Sequence, residues 1–240
     1  SWGIFSKNAS ITMRGLTNSA SVLISLDGVP LNKLAGGSVN WNMMSSSSLS
    51  RIEVVKGPNS AQYGMNALGG CVNLQGRRPQ KKFEGDITLF GGTYKTRGAN
   101  LYFGGRNSIN SLTYYWSLNA SSRFGDGYIY FPTNEPSPIA QKTYLEENSI
   151  LFNSGMIWNP KNITQIGVLY SLDKRGEGIK VYEPEGSYNS YNTNIVWIKH
   201  NYTTPKINIS LLAFSNMEDY FRQNENINNS GLYQYYVTNS

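Results

Sequence analysis

From residue 83 onward, apolar and polar residues alternate with a period of two, in segments of roughly ten residues separated by polar breaks. Residues 111–121 show it most cleanly. Leu112, Tyr114, Trp116, Leu118 and Ala120 share one parity; Thr113, Ser117, Asn119 and Ser121 share the other. Residues 163–173 set Ile166, Val168, Tyr170 and Leu172 against Gln165, Gly167 and Ser171, and residues 148–158 set Ile150, Phe152, Met156 and Trp158 against Leu151, Asn153 and Gly155. Successive side chains of a strand point to opposite faces, so this pattern predicts an antiparallel sheet with one apolar and one polar face. Seven such strands can be counted, with the start of an eighth near Leu232.

A soluble sandwich alternates in the same way, so the connections must discriminate. Breaks at 91–94, 122–147, 173–190 and 218–230 include three long ones, whereas those at 105–108, 159–162 and 202–205 are uniformly short. Long loops on one rim and short turns on the other are the pattern of an outer-membrane barrel. Ten residues rising about 3.3 Å each and tilted by roughly 40° span about 25 Å, the height of such a barrel's apolar band. Tyr114, Trp116, and Trp158 beside Pro160, suit its aromatic girdles, although a sandwich core would use them equally well.

The first third of the chain reads differently. Residues 49–79 begin with a charged β-run, break at Gly57-Pro58, pass through Gly64, Gly69 and Gly70, and re-form a short β-run at 71–74 before the basic exit Arg77-Arg78-Pro79. Glycines this dense serve sharp turns and close backbone approach. Upstream, the apolar run of residues 22–26 ends at Asp27-Gly28, a hairpin-favouring pair, and Pro30 interrupts any continuing ladder.

Ile52, Glu53, Val54, Lys56, Gly57, Pro58, Tyr63, Gly64, Gly69, Gly70, Val72 and Asn73 together resemble, at fixed spacing, the end of the plug domain of TonB-dependent outer-membrane receptors. Residues 11–16 (ITMRGL) and 22–31 (VLISLDGVPL) resemble that family's earlier strand and turn motifs in the right order. The detailed resemblance covers residues 11–79. Departures are Lys56 where arginine is more usual, Cys71 at a small-residue site, and Gly76 where threonine or serine is frequent. The resemblance implies a mainly β protein: the C-terminal part of an α+β plug over residues 1–79, then, from 80 to 240, the first seven or eight antiparallel strands of a transmembrane barrel of about 22 strands. An eight-stranded barrel has no room for a plug, so the chain is expected to be an internal piece of a longer receptor.

Composition narrows the classes further. The chain has 5 Trp, 17 Tyr and 9 Phe but only 15% charged residues, which is rich in aromatics and poor in charge for a soluble domain. It contains no run of about 18 apolar residues, and it opens without a secretory leader's basic region and apolar core. One cysteine, Cys71, allows neither an intrachain disulfide nor a cysteine-based zinc site. One histidine, His200 in a strand-like segment, leaves little for nucleophilic catalysis, so an enzyme is not expected. A net charge of +6 without a clustered basic patch does not call for nucleic acid. No cofactor and no resident metal are expected. Asp173, Glu177, Glu183 and Glu185 read as solvated carboxylates in preference to a calcium loop.

Within the resemblance, function means capturing and importing a scarce ligand, not covalent chemistry. Arg14, Glu53 and Lys56 match charged positions that fasten plug to barrel; a static network within the plug is the alternative. The ligand-facing plug loops fall at 17–21, with Asn18 and Ser19, and at 32–44, with Trp41 and Asn42. An indole beside amides offers stacking area and hydrogen-bond donors; Trp41 packing its loop against the wall is the alternative. From the outer loops, Tyr128, Tyr130, Tyr182, Tyr188 and Arg222 are candidates, because cations among aromatic faces suit a ferric phenolate or catecholate complex. The expected partners are a ferric siderophore or related nutrient, a TonB-type energy-transducing protein and the lipid of a Gram-negative outer membrane. A signalling receptor on the same architecture, or a soluble β-rich carbohydrate-binding or adhesive protein, are the other readings.

Overall fold

The computed structural model describes residues 11, 13, 21–33, 37–57, 66–129 and 138–240. Two sheets hold most of the described backbone. The smaller contains β1 (Val22–Leu26), β2 (Val29–Pro30), β3 (Leu49–Lys56) and β4 (Gly70–Gly76) in the order β2-β1-β4-β3. β1 and β2 form a hairpin across Asp27 (φ 50°) and Gly28 (φ 95°). Two consecutive positive φ values are what a two-residue primed turn demands, and Asp-Gly supplies them. β4 runs parallel to β1 and antiparallel to β3, so every residue of β1 is buried.

The larger sheet is a meander of eight strands: β5 (Glu84–Gly91), β6 (Arg97–Ile109), β7 (Leu112–Gly125), β8 (Leu145–Asn159), β9 (Asn162–Gly176), β10 (Tyr188–Thr203), β11 (Asn208–Ile227) and β12 (Tyr233–Asn239). Each pairs antiparallel with the next, and β5 and β12 form the two edges. The strand number and order match the sequence pattern, but the six inner strands are longer than ten residues, reaching 20 in β11. The first short turn therefore lies at 110–111, not 105–108. Gly105 serves close packing: a Cβ there would meet the Lys82 carbonyl at 2.8 Å and the Trp116 indole at 3.1 Å. The 218–230 break also shrinks to 228–232, because its polar residues continue the ladder of β11 as far as Ile227.

The burial of the large sheet is inverted relative to a soluble protein. The smaller sheet packs on the face that carries Ser117, Asn119, Asn153, Ser171 and Thr193, all buried. The apolar parity faces out, with Ile150 46%, Ile166 45%, Val168 38% and Val196 46% exposed. A water-soluble sandwich does the reverse. The contact between the sheets is an apolar island in this polar lining. Leu151, Leu169, Ile195 and Trp197 from the wall join Val22, Ile24, Leu26, Val29, Leu31, Val72 and Leu74 in one buried cluster. Leu151 opposes Leu169, which opposes Ile195, so three neighbouring strands present one apolar row. Burying each of these side chains stabilises the contact by about 1.5–3 kcal/mol. Gly167 makes room for the Trp197 ring, which lies where a side chain would stand. Among the described residues no helix is long and apolar enough to cross a membrane.

Candidate functional site

The long connections 92–96, 126–144, 177–187 and 228–232 share one rim of the wall, and the plug loop 31–48 reaches toward it. Asn32 anchors that loop to β1. Its Oδ1 accepts the Ile24 N–H at 2.7 Å, and its Nδ2 donates to the Val22 and Gly37 carbonyls at 3.0 and 2.9 Å. A tight turn follows, with the Lys33 N–H donating to the Ser38 carbonyl and the Gly37 N–H to the Lys33 carbonyl. A 3-10 turn, Trp41–Met43, is capped by Asn40, whose Oδ1 accepts the Asn42 N–H at 3.1 Å. A buried amide and a capped turn thus present Trp41 and Asn42 at the loop's apex. Trp41, Asn42, Ser45, Ser46, Asn100 and Ser121 line a cleft of about 260 Å³ between plug and wall, closed at one side by Arg123 and Glu147.

Ion pairs surround this apex. Arg123 Nε donates to Glu147 Oε2 at 2.5 Å, and Glu147 also pairs with Arg175. Arg175 in turn lies 3.0 Å from Asp173, whose other carboxylate oxygen accepts from Asn42 Nδ2 at 3.3 Å. Lys33 reaches from the plug to Glu218 at 2.5 Å, with its ammonium 4.5 Å from the Tyr191 ring centroid and 5.4 Å from that of Tyr220. Arg222 forks onto Glu177 at 3.0 and 2.9 Å. Buried charges are tolerated only when paired in this way. At the hairpin end of the plug, Asp27 pairs with Arg78 at 3.1 Å while its carbonyl accepts from Lys199 of β10 at 3.4 Å. Burial pushes the Asp27 carboxyl above its ordinary range, against the opposing pull of Arg78. Asn216 of β11 donates to the Pro30 carbonyl at 3.4 Å.

The structure distributes the residues nominated from sequence unevenly. Arg14, Asn18, Ser19 and Tyr130 lie outside the described residues. Trp41 and Asn42 stand at the apex cleft. Arg222 is near it, but on β11 and not in a loop, on the same side as Asn189, Glu177 and the plug. Tyr128 braces the base of loop 126–144, its carbonyl accepting from Thr143 and its ring 5.2 Å from that of Tyr94. Tyr182 is 75% exposed and packs edge-on to Tyr233 at 4.9 Å, while its backbone N–H donates to Glu225.

Tyr188 faces away from the plug. Ile195 and Trp197 face the plug, and β10 has an unbroken register, so its odd-numbered residues point inward and Tyr188 points outward, stacking on Phe221 at 5.5 Å. Tyr191, on the inward parity, is the ring that meets the plug. Glu53 and Lys56 lie on β3, at the opposite edge of the plug sheet from β2. Glu53 pairs with Arg51 at 3.0 Å and accepts from Asn73 at 3.3 Å, an arrangement within the plug. Nothing in the sequence groups Lys33, Glu218, Tyr191 and Tyr220. Position 218 reads as loop, and only the strand parity of Tyr191 and Tyr220 signals their inward aim. Asp173 and Glu177, expected as solvated carboxylates, are instead buried, and with Glu185 each faces a cation: Arg175, Arg222 and Lys174.

A wall with its apolar face outward, its polar face inward and a small mixed sheet seated on that inner face is the architecture that the plug resemblance implies. Residues 3–71 match the TonB-dependent Receptor Plug Domain family. A 93-residue stretch is 34% identical to the vitamin B12 transporter BtuB of Vibrio vulnificus (strain CMCP6), covering 39% of this chain and 15% of the transporter. The fold superposes on the siderophore receptor PiuA of Acinetobacter baumannii with a TM-score of 0.65 at 15% identity, over 97% of this chain and 35% of that one. It superposes on the ferric-catecholate import receptor Fiu of E. coli K12 with a TM-score of 0.63 at 15% identity, over 96% of this chain and 38% of that one. The plug-family match covers residues 3–71, the superpositions show that the fold is shared with these receptors, and the chain spans little more than a third of their length.

Proposed function

We propose that the protein imports an iron–siderophore complex, or a similarly scarce chelate, across the outer membrane of a Gram-negative bacterium, driven by a TonB-type energy-transducing partner. On this reading residues 1–79 are plug and residues 80–240 are barrel wall. The observation that carries it is the placement of the plug on the polar face of a sheet whose apolar face is left outward. A transporter needs that arrangement: lipid on one side, and a polar passage occluded by a removable element on the other.

Trp41 and Asn42 at the apex are the proposed ligand contacts; Arg222 acts through its pair with Glu177, and Tyr128 and Tyr182 through loop packing. Glu53 and Lys56 are proposed to hold the plug from β3. Contacts to the described wall include those of Lys33, Asn42 and Asp27 with Glu218, Asp173 and Lys199. The relatives in the comparisons are receptors and transporters, which supports a role without covalent chemistry. The test is fractionation of native cells followed by electrophoresis of unboiled and boiled outer membranes. Recovery in that fraction with a mobility shift on boiling is expected; a water-soluble native product without a shift would overturn the proposal.

A further inference from the structure

The described inner face around the apex carries four cations and four carboxylates, and each cation has its own acidic contact. Lys33 meets Glu218, Arg123 meets Glu147, Arg175 meets Asp173 and Glu147, and Arg222 meets Glu177. The pairs are not loose surface contacts. The side chains of Asp173, Arg175 and Glu177 are 0%, 2% and 5% exposed, and those of Glu147 and Glu218 are 10% and 15% exposed. Extracting a cation from any of these pairs for a ligand strands a buried carboxylate, which is costly. Beside the Arg123–Glu147 pair, what remains to meet a ligand in the cleft is neutral: the Trp41 indole, the Phe90 ring, Met44, four serine hydroxyls and the amides of Asn42 and Asn100.

From this balance we infer that the receptor's ligand is an electrically neutral metal chelate with an amide-rich, partly apolar periphery, in preference to a highly anionic one. This rests on the import reading above and narrows it. A trianionic catecholate complex needs unpaired cations to replace its hydration, and here the cations are already spoken for by carboxylates. A neutral chelate needs ring faces to stack on and donors for its carbonyls, which Trp41, Asn42, Asn100 and the serines supply. Neutral chelates come from two sources, ferric trishydroxamates and corrinoids, and the shared chemistry does not separate them. The catecholate and siderophore receptors that share this fold do so at 15–16% identity, too distant to transfer their ligands.

The experiment is equilibrium binding to the intact gene product purified in detergent, read by tryptophan quenching, with three probes. These are ferrichrome as the neutral hydroxamate, cyanocobalamin as the neutral corrinoid, and ferric enterobactin as the trianionic catecholate. Tighter binding of either neutral probe is expected, and the one that binds identifies the source. Tighter binding of ferric enterobactin overturns this inference and leaves the import reading standing. Failure of all three overturns both.

A charge variant guards against misreading. Glu218→Gln releases Lys33, the one of these four cations that the plug carries. One charge acting on three across about 10 Å of water-like medium should raise the ratio of anionic to neutral affinity by roughly tenfold. A purely structural role for Glu218 would lower both affinities together and leave the ratio unchanged, which would count against the inference.

Discussion

Val168→Arg separates a lipid-facing wall from a water-facing one by magnitude alone. Val168 lies on the outward parity of β9 between Phe152 and Val196, 38% exposed. It stands six residues above Asn162 at the short-turn end of the strand. At about 3.3 Å per residue and a tilt of roughly 40°, that is about 15 Å up the membrane normal, close to the middle of a band about 25 Å tall. Arginine at the midplane costs about 2–4 kcal/mol, whereas a surface substitution in water stays within about 0.5 kcal/mol. The difference is roughly thirty- to several-hundred-fold in the folding equilibrium. Leu172, also outward, lies about 10 Å nearer the long-loop rim, where the same change should cost only about 0–1 kcal/mol. The assay is denaturant unfolding of the intact protein in lipid vesicles, followed by tryptophan fluorescence. Equal and small effects at positions 168 and 172 would refute the placement of this face in lipid.

Other consequences follow from single contacts. Leu169→Ala removes a fully buried side chain from the row that joins wall to plug and should cost about 2–5 kcal/mol, read by the same unfolding assay. Gly127 sits at φ 68° against the Thr143 backbone, so Gly127→Ala should loosen loop 126–144 and speed its cleavage by protease while leaving the wall intact. Asp27 has a folded pKa above its unfolded value near 3.8. Its contribution to stability is therefore full below that value and is lost as pH rises through the raised folded pKa. Asp27→Asn should flatten the pH dependence of plug stability over that interval, measured by denaturant midpoints across a pH series.

The strands were legible because alternation is a backbone property: Leu112 to Ala120 and Ile166 to Leu172 announce their faces without any knowledge of partners. Strand ends were less legible, because polar residues at a lumen or above a membrane remain in the ladder. Glu218 and Arg222 look like loop residues, yet each is satisfied by a partner distant in sequence, Lys33 and Glu177 respectively. Gly105 looks like a turn and is a packing gap for Trp116. The site was legible only in part. The Asp-Gly hairpin and the Trp41 loop follow from local chemistry. The choice between Tyr188 and Tyr191 requires the register of β10, which one uncounted residue reverses. Nothing local marks Lys33 for the Tyr191–Tyr220 pair, since that contact bridges two sheets far apart in the chain.

Energised import tests the central claim most directly. Cells carrying the gene and cells lacking it would be given a radiolabelled iron chelate under iron limitation, with and without a protonophore. Gene-dependent surface binding that survives the protonophore, together with internal accumulation abolished by it, is the expected result. Gene-dependent accumulation that continues unchanged after the proton gradient is collapsed would contradict a TonB-coupled plugged receptor.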